Sequence, residues 1–373
     1  MLVRDARAVA RRWVLEVGRR TPGFCGAYVG GSAGWLPADA PIPPTSDLDV
    51  YLVLEDAEGA EGAEGAPKPG KFLYHGVLLE VSYVPRDSLR SPEAVLSHYH
   101  LAGGFRTPSV ILDPTGTLTA LQEAVGREFA RRSWVRRRCE HAAGVVREWA
   151  GGLDETAPLH DQVTRTAFAA GVTTHVLLVA GLQNPTVRRR YAASRELLLA
   201  CGRPDVQEAL LTLLGCAGMS PQRVAHHLSA TAAAFDAAKT RIRTPYRFAA
   251  DISDAARPVA IDGSQELIDR GLHREAVFWI VATFSRCRHI FAADAPELLA
   301  RTADGYHALL ADLDLDSYPA RRRRGAAILA YLPTLDEVTE TILAANPAIQ
   351  DDPPPVSAAP ARSKCCAAGC AVE

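Results

Sequence analysis

Apolar residues run in short continuous or alternating stretches through the first third of the chain, then recur at helical spacing almost to its end. Phe24-Cys25-Gly26-Ala27-Tyr28-Val29 predicts a first strand that delivers Gly30-Gly31-Ser32. Leu48, Val50, Leu52 and Leu54, with β-branched Val53 between them, predict a buried strand. Phe72-Leu73-Tyr74 and Val77 to Val84 predict two more around a His75-Gly76 turn, and Val110-Ile111-Leu112 a last one. It runs into Asp113-Pro114-Thr115-Gly116, where Asp113 reads as a turn residue in preference to a site acid. An amphipathic helix is expected over residues 4–20, with Ala8, Val9, Trp13, Val14 and Val17 on its apolar side. A short helix should follow Ser91-Pro92, with Ser as cap and Pro in the first turn. From Leu118 on, helices are expected at 117–132, 133–150, 159–182, 186–201, 204–215, 220–238, 264–292, 296–313 and 323–344. The fold class is therefore α+β: a mixed-sheet domain over 1–132, an all-α bundle over 133–346, and a tail over 347–373 that is disordered by composition.

Composition narrows the class of protein. The 373 residues are 48% hydrophobic, ample for two cores, and the formal net charge is −2. A near-neutral chain offers no global electrostatic case for nucleic acid, which is not expected as a partner. No signal-peptide pattern opens the chain and no unbroken apolar run approaches membrane-spanning length, so no membrane contact is expected. Cys25, Cys139, Cys201, Cys216 and Cys287 lack metal spacing and read as reduced, buried thiols, which points to the cytoplasm. Cys365, Cys366 and Cys370 near the C-terminus have no assigned role. The Ala-Glu-Gly repeat from Ala57 to Gly65, ending in Pro67-Lys68-Pro69, should be a solvated hairpin tip.

The candidate chemistry lies in the strands. Asp47 and Asp49, two apart at a strand start, point the same way and repel unless a cation lies between them. A hard divalent ion such as Mg²⁺ answers that need. Glu80 interrupts another apolar strand and joins them if the two strands are neighbours. Gly30 and Gly31 allow close approach of backbone N–H groups to a phosphate, and a helix starting after them would favour the anion. Of the arginine runs, 136–138, 188–190 and 321–324, Arg188 has the best functional prospect, because Asn184-Pro185-Thr186 reads as a helix start that a triphosphate would favour. A run of neighbours on a helix points several ways, so the other runs read as solvated faces. His98-x-His100 and His226-His227 lack companion ligands at metal spacing.

A Gly-Ser pair, an Asp-x-Asp strand and a later acid on a neighbouring strand resemble the DNA polymerase β-like nucleotidyltransferases, in particular the small-molecule branch that includes kanamycin nucleotidyltransferase. The likeness runs from about residue 20 to about 155. It implies two Mg²⁺ ions held by Asp47, Asp49 and Glu80, with Ser32, the Gly30 and Gly31 amides and Ser46 at the phosphates of an NTP, expected to be ATP. The reaction implied is transfer of a nucleoside monophosphate, expected to be AMP, to a hydroxyl of a small molecule, an aminoglycoside-like antibiotic being one candidate. Glu148-Trp149-Ala150-Gly151 matches a motif whose Glu is a general base, so Glu148 or Glu80 is expected to take the acceptor proton. The lysine that follows this motif in that branch is Gly152 here, which puts that phosphate contact in doubt. The branch can build its sites across a homodimer, so that arrangement is admitted. The alternatives are an adenylyltransferase acting on protein or RNA, a nucleotide-binding regulator without catalysis, and a scaffold.

Overall fold

A two-residue turn sets the register of the sheet. His75 and Gly76 both have positive φ, 46° and 77°, the backbone of the primed turns that match strand twist. They leave Tyr74 opposite Val77 and Lys71 opposite Glu80. The computed structural model describes residues 1–55 and 69–353; the Ala-Glu-Gly repeat and the three C-terminal cysteines lie outside these residues. The N-terminal half contains α1 (Val3–Glu16), β1 (Phe24–Val29), β2 (Leu48–Leu54), β3 (Gly70–Tyr74), β4 (Val77–Pro85), α2 (Pro92–Ser97), α3 (Leu101–Gly104), β5 (Val110–Leu112) and α4 (Thr117–Glu128). The strands form one mixed sheet in the order β3-β4-β2-β1-β5. Among the described strands only β2 and β4 pair in parallel, with Asp49 beside Glu80.

Alternation decides what the sheet buries. Leu48, Val50 and Leu52 of β2 and Leu79 and Val81 of β4 are sealed in one core with Ala6, Ala10, Trp13 and Val14 of α1. The face of α1 is thus rotated from the expected one: Ala8 is exposed and Val17 lies beyond the helix end, 48% exposed. The opposite face packs Tyr28, Val53 and Val84 against α2, α3 and α4. Ser91 caps α2, its Oγ accepting from Ala94 N. The proline-rich loop before Asp47 is tied to the N-terminus, where Val3 N and Arg4 N donate to Ala40 O and Ala38 O, and Ile42 N donates to Met1 O.

Among the described residues ten α-helices follow: α5 (Arg132–Gly151), α6 (Leu159–Ala180), α7 (Arg190–Ala200), α8 (Pro204–Leu214), α9 (Pro221–Ala238), α10 (Gly263–Asp269), α11 (His273–Asp294), α12 (Pro296–Arg301), α13 (Ala303–Asp312) and α14 (Tyr318–Ala345). The expected helix over 264–292 is two. Gly271, at φ 74°, ends α10 in a Schellman turn in which Leu272 N donates to Leu267 O. α7 begins at Arg190, so Asn184-Pro185 is not a helix start; those residues lie in a connecting stretch without helix. By length and composition α6 is apolar enough to cross a membrane, and 83% of its apolar window is buried among the other helices. Cys139, Cys216 and Cys287 are buried free thiols, as expected, whereas Cys25 and Cys201 are half-buried.

The two halves meet through polar groups as well as apolar ones. Arg138 of α5 is 1% exposed and donates to Leu96 O and Phe129 O, with its guanidinium over the Phe129 ring. Its neighbours diverge: Arg136 pairs with Glu340 and Arg137 covers Trp134.

Asp113 behaves as the turn reading expects. Its carboxylate accepts from Thr119 N and Thr119 Oγ1 at 2.8 and 2.9 Å, which serves the open first turn of α4 as a cap would. Partial burial alone would raise its pKa, but these hydrogen bonds win and hold it below the usual aspartate value. Its stabilisation is therefore present above the ordinary aspartate range and fades as pH falls through the lowered value. Asp113→Ala should cost about 1 kcal/mol in chemical denaturation at neutral pH, and the deficit should shrink toward pH 3.

Candidate metal and nucleotide site

Three adjacent strands carry the site in one row. Register sets Lys71 of β3 opposite Glu80 of β4, and Glu80 beside Asp49 of β2. Asp47, two residues before Asp49, faces the same way just ahead of the strand. One ligand oxygen from each of Asp47, Asp49 and Glu80 lies within 4.8 Å of the others, and all three residues are half-buried. The structure thus brings together the three acids expected from the sequence.

It also supplies a cation that the sequence reading missed. The Lys71 ammonium pairs with Glu80 Oε2, with Asp47 Oδ2 at 3.3 Å and with Asp251 Oδ1 at 2.7 Å. Its side chain is 7% exposed. Burial by itself would lower the Lys71 pKa, but Asp251, Glu80 and Asp47 together hold it well above the ordinary lysine value. Asp47 is raised instead: its loss of water outweighs the attraction of Lys71, and Glu80 adds repulsion. Asp251 comes from a 3₁₀ turn, Ala249–Asp251, in the helical half, and its other oxygen lies 3.2 Å from Nη1 of Arg286 on α11. The helical half therefore contributes an acid, but it is Asp251. Glu148 is not among the clustered carboxylates; it is exposed on the last turn of α5, where Arg165 holds its carbonyl and Ala150 packs against Gly325 of α14.

The phosphate elements differ in part from expectation. The Gly30 N–H donates to Asp49 O at 3.0 Å, so the β1–β2 ladder already uses that amide. No long helix follows Ser32, only a 3₁₀ turn over Ser32–Gly34, because the prolines from Pro37 to Pro44 carry the chain away. Ser32 Oγ and Ser46 Oγ lie 3.3 Å apart, at the two ends of that excursion. Gly31 is required where it stands: at φ 55°, a Cβ would lie 1.6 Å from Asp49 Oδ2. Arg188 reaches the site despite lacking the expected helix start. It donates to Thr45 O at 3.1 Å and to Gly263 O at 2.9 Å, close enough to Asp47 for the two charges to interact. Thr45 Oγ1 also donates to Glu266 of α10. The sheet edge and the helical half are thus in direct contact at the acids. A groove of about 420 Å³ beside Ala234, Ala237 and Phe284 is lined by none of these acids.

No protein-family model matches the chain, and no curated protein matches it.

Gly31→Ala should drive the Asp49 carboxylate out of the row and weaken Mn²⁺ binding at least as much as Asp49→Asn, read by calorimetry. Asp251→Asn leaves Arg286 buried without its carboxylate, and breaking such a pair costs about 3–5 kcal/mol. Denaturation of that variant should show a loss of this order, with a larger loss than for Glu148→Gln.

Proposed function

We propose that the chain is a Mg²⁺-dependent nucleotidyltransferase that moves a nucleoside monophosphate from an NTP to a hydroxyl of a small molecule. The observation that carries the reading is the convergence of Asp47, Asp49 and Glu80 beside Gly31 and Ser32. Three carboxylates suit a hard divalent cation. Two ions were expected from the resemblance; the Lys71 ammonium already lies between Asp47 and Glu80, and this reading keeps one ion. In this reading Lys71 takes the place of the second ion.

When bound, Mg²⁺ would stabilise charge developing on the reacting phosphate. Asp47 and Asp49 would hold the ion, while Lys71 keeps Glu80 and Asp47 from repelling each other. The Ser32 and Ser46 hydroxyls donate toward the phosphates, and Arg188 adds positive charge beside Asp47. With Glu148 exposed on α5, Glu80 is the base that takes the acceptor proton. A bond forms between the acceptor oxygen and the α-phosphorus, the bond to the β-phosphate oxygen breaks, and pyrophosphate leaves. RNA is disfavoured as acceptor, since each arginine run is split, with some members turned inward: Arg138 donates to Leu96 O, Arg190 packs over Phe278, and Arg321 donates to Gln162 and Leu315 O.

One observation favours a second reading. The ion pairs of Lys71 with Asp47 and Glu80 also suit a nucleotide-binding regulator in which the ammonium replaces the metal outright. ATP labelled at the α- or the γ-phosphate, incubated with the protein, Mg²⁺ and fractionated small-molecule extract, separates the two. Transfer predicts that only α-label moves to an acceptor, and that Asp49→Asn and Lys71→Met each lower the rate by about 10²-fold or more. Nucleotide binding without label transfer would support the regulator, and faster transfer in Lys71→Met would overturn the role given to the ammonium.

A further inference from the structure

α6 and α11 bring together a second group of metal-competent side chains that the proposed function does not use. His160 and Asp161 stand in the first turn of α6, and His289 comes across from α11. One ligand atom from each lies within 4.8 Å of the others. Asp161 Oδ1 is 3.7 Å from His160 Nε2 and 3.9 Å from His289 Nδ1. Bonds of about 2.0–2.1 Å to a tetrahedral ion place its ligand atoms about 3.3 Å apart. The two imidazoles therefore stand about half an ångström too far from Asp161, a distance that small χ rotations of the exposed Asp161 and half-exposed His289 close.

The protonation states suit a ligand set. Burial keeps the His160 imidazole below its ordinary pKa and so neutral at neutral pH. The nearby His289 and His160 rings hold the Asp161 carboxyl below its usual value against partial burial, and the N-terminal dipole of α6 favours the same ionised form. The ring of His289 is held by stacking on Tyr246, with centroids 4.1 Å apart and an interplanar angle of 20°. Arg288 of α11, whose charge reaches His160, is held by donating to Leu299 O and Thr302 Oγ1. Asp161 is 50% and His289 37% exposed at the side chain, so an ion could enter from solvent and keep a water.

We infer that His160, Asp161 and His289 form a site for a borderline divalent ion of the Zn²⁺ class, three protein ligands plus water, which ties the start of α6 to α11. Two imidazoles and one carboxylate select Zn²⁺, Co²⁺ or Ni²⁺ over Mg²⁺, whose preference is for oxygen. The site is distinct from the acids of the sheet in its donors and in the metal it selects. It stands whether or not the chain transfers nucleotides.

Co²⁺ titration of the untagged full-length chain tests it directly. Excess Mg²⁺ occupies oxygen sites, and Cys365, Cys366 and Cys370 are replaced by Ser to remove competing thiolates. The site predicts one Co²⁺ per chain at micromolar affinity, with the visible absorption of a four-coordinate ion, and a higher Tm when Zn²⁺ is added. His289→Gln and His160→Gln should each abolish both signals, while Asp49→Asn leaves them intact. His289 lies half-exposed, so its variant keeps the core, and the metal-free Tm of each variant verifies folding. A Co²⁺ spectrum unchanged by His289→Gln, or no Co²⁺ binding by the folded parent, overturns the assignment.

Discussion

A single buried ammonium makes the rest of the site possible. Two carboxylates about 4 Å apart repel by about 4 kcal/mol at an effective dielectric constant of 20, and Asp47, Asp49 and Glu80 stand that close. Such a cluster survives in a half-buried sheet only with positive charge between its members. Lys71 supplies it from the neighbouring strand and extends it to Asp251, so one side chain both offsets part of the charge of the sheet acids and fastens the helical half to them. Arg286 completes the chain of charges on the helical side. The joint between the halves is thus ionic at the site and both polar and apolar elsewhere, where Arg138 donates to Leu96 O and Phe129 O.

The strands were legible because their chemistry is local. Alternating Leu48, Val50 and Leu52 could bury only one face, which left Asp47 and Asp49 on the other, and the lone Glu80 in an apolar strand needed partners. Lys71 was legible too and was missed. Once His75-Gly76 is a two-residue turn, counting back from Tyr74 opposite Val77 puts Lys71 opposite Glu80. Gly271 was likewise a visible helix stop inside an apolar pattern that periodicity alone ran through.

Other parts were hidden for physical reasons. Asp251 lies in a short turn between α9 and α10 that packs against β3, far away in sequence, so no local pattern marks it. His160 and His289 meet only because α6 and α11 cross in the core, 129 positions apart in numbering. Glu148 shows the opposite failure. A short motif carried over by likeness fell on an exposed helix end, and the acid that reaches the sheet is contributed by a different segment. Arg188 stands beside Asp47 for a reason other than the one first apparent: two carbonyls, Thr45 O and Gly263 O, hold it there without any helix N-terminus.

The account rests on one claim, that the acids of the sheet hold a divalent ion next to Lys71 and an NTP. Crystals grown with Mn²⁺ and a non-hydrolysable ATP analogue, measured at the manganese absorption edge, test it most directly. The account predicts one anomalous peak within bonding distance of Asp47 and Asp49, with Lys71 still paired to Glu80 and the triphosphate near Ser32. Two peaks with Lys71 displaced would contradict the single-ion reading, and no peak among the acids with the analogue bound elsewhere would contradict the claim itself.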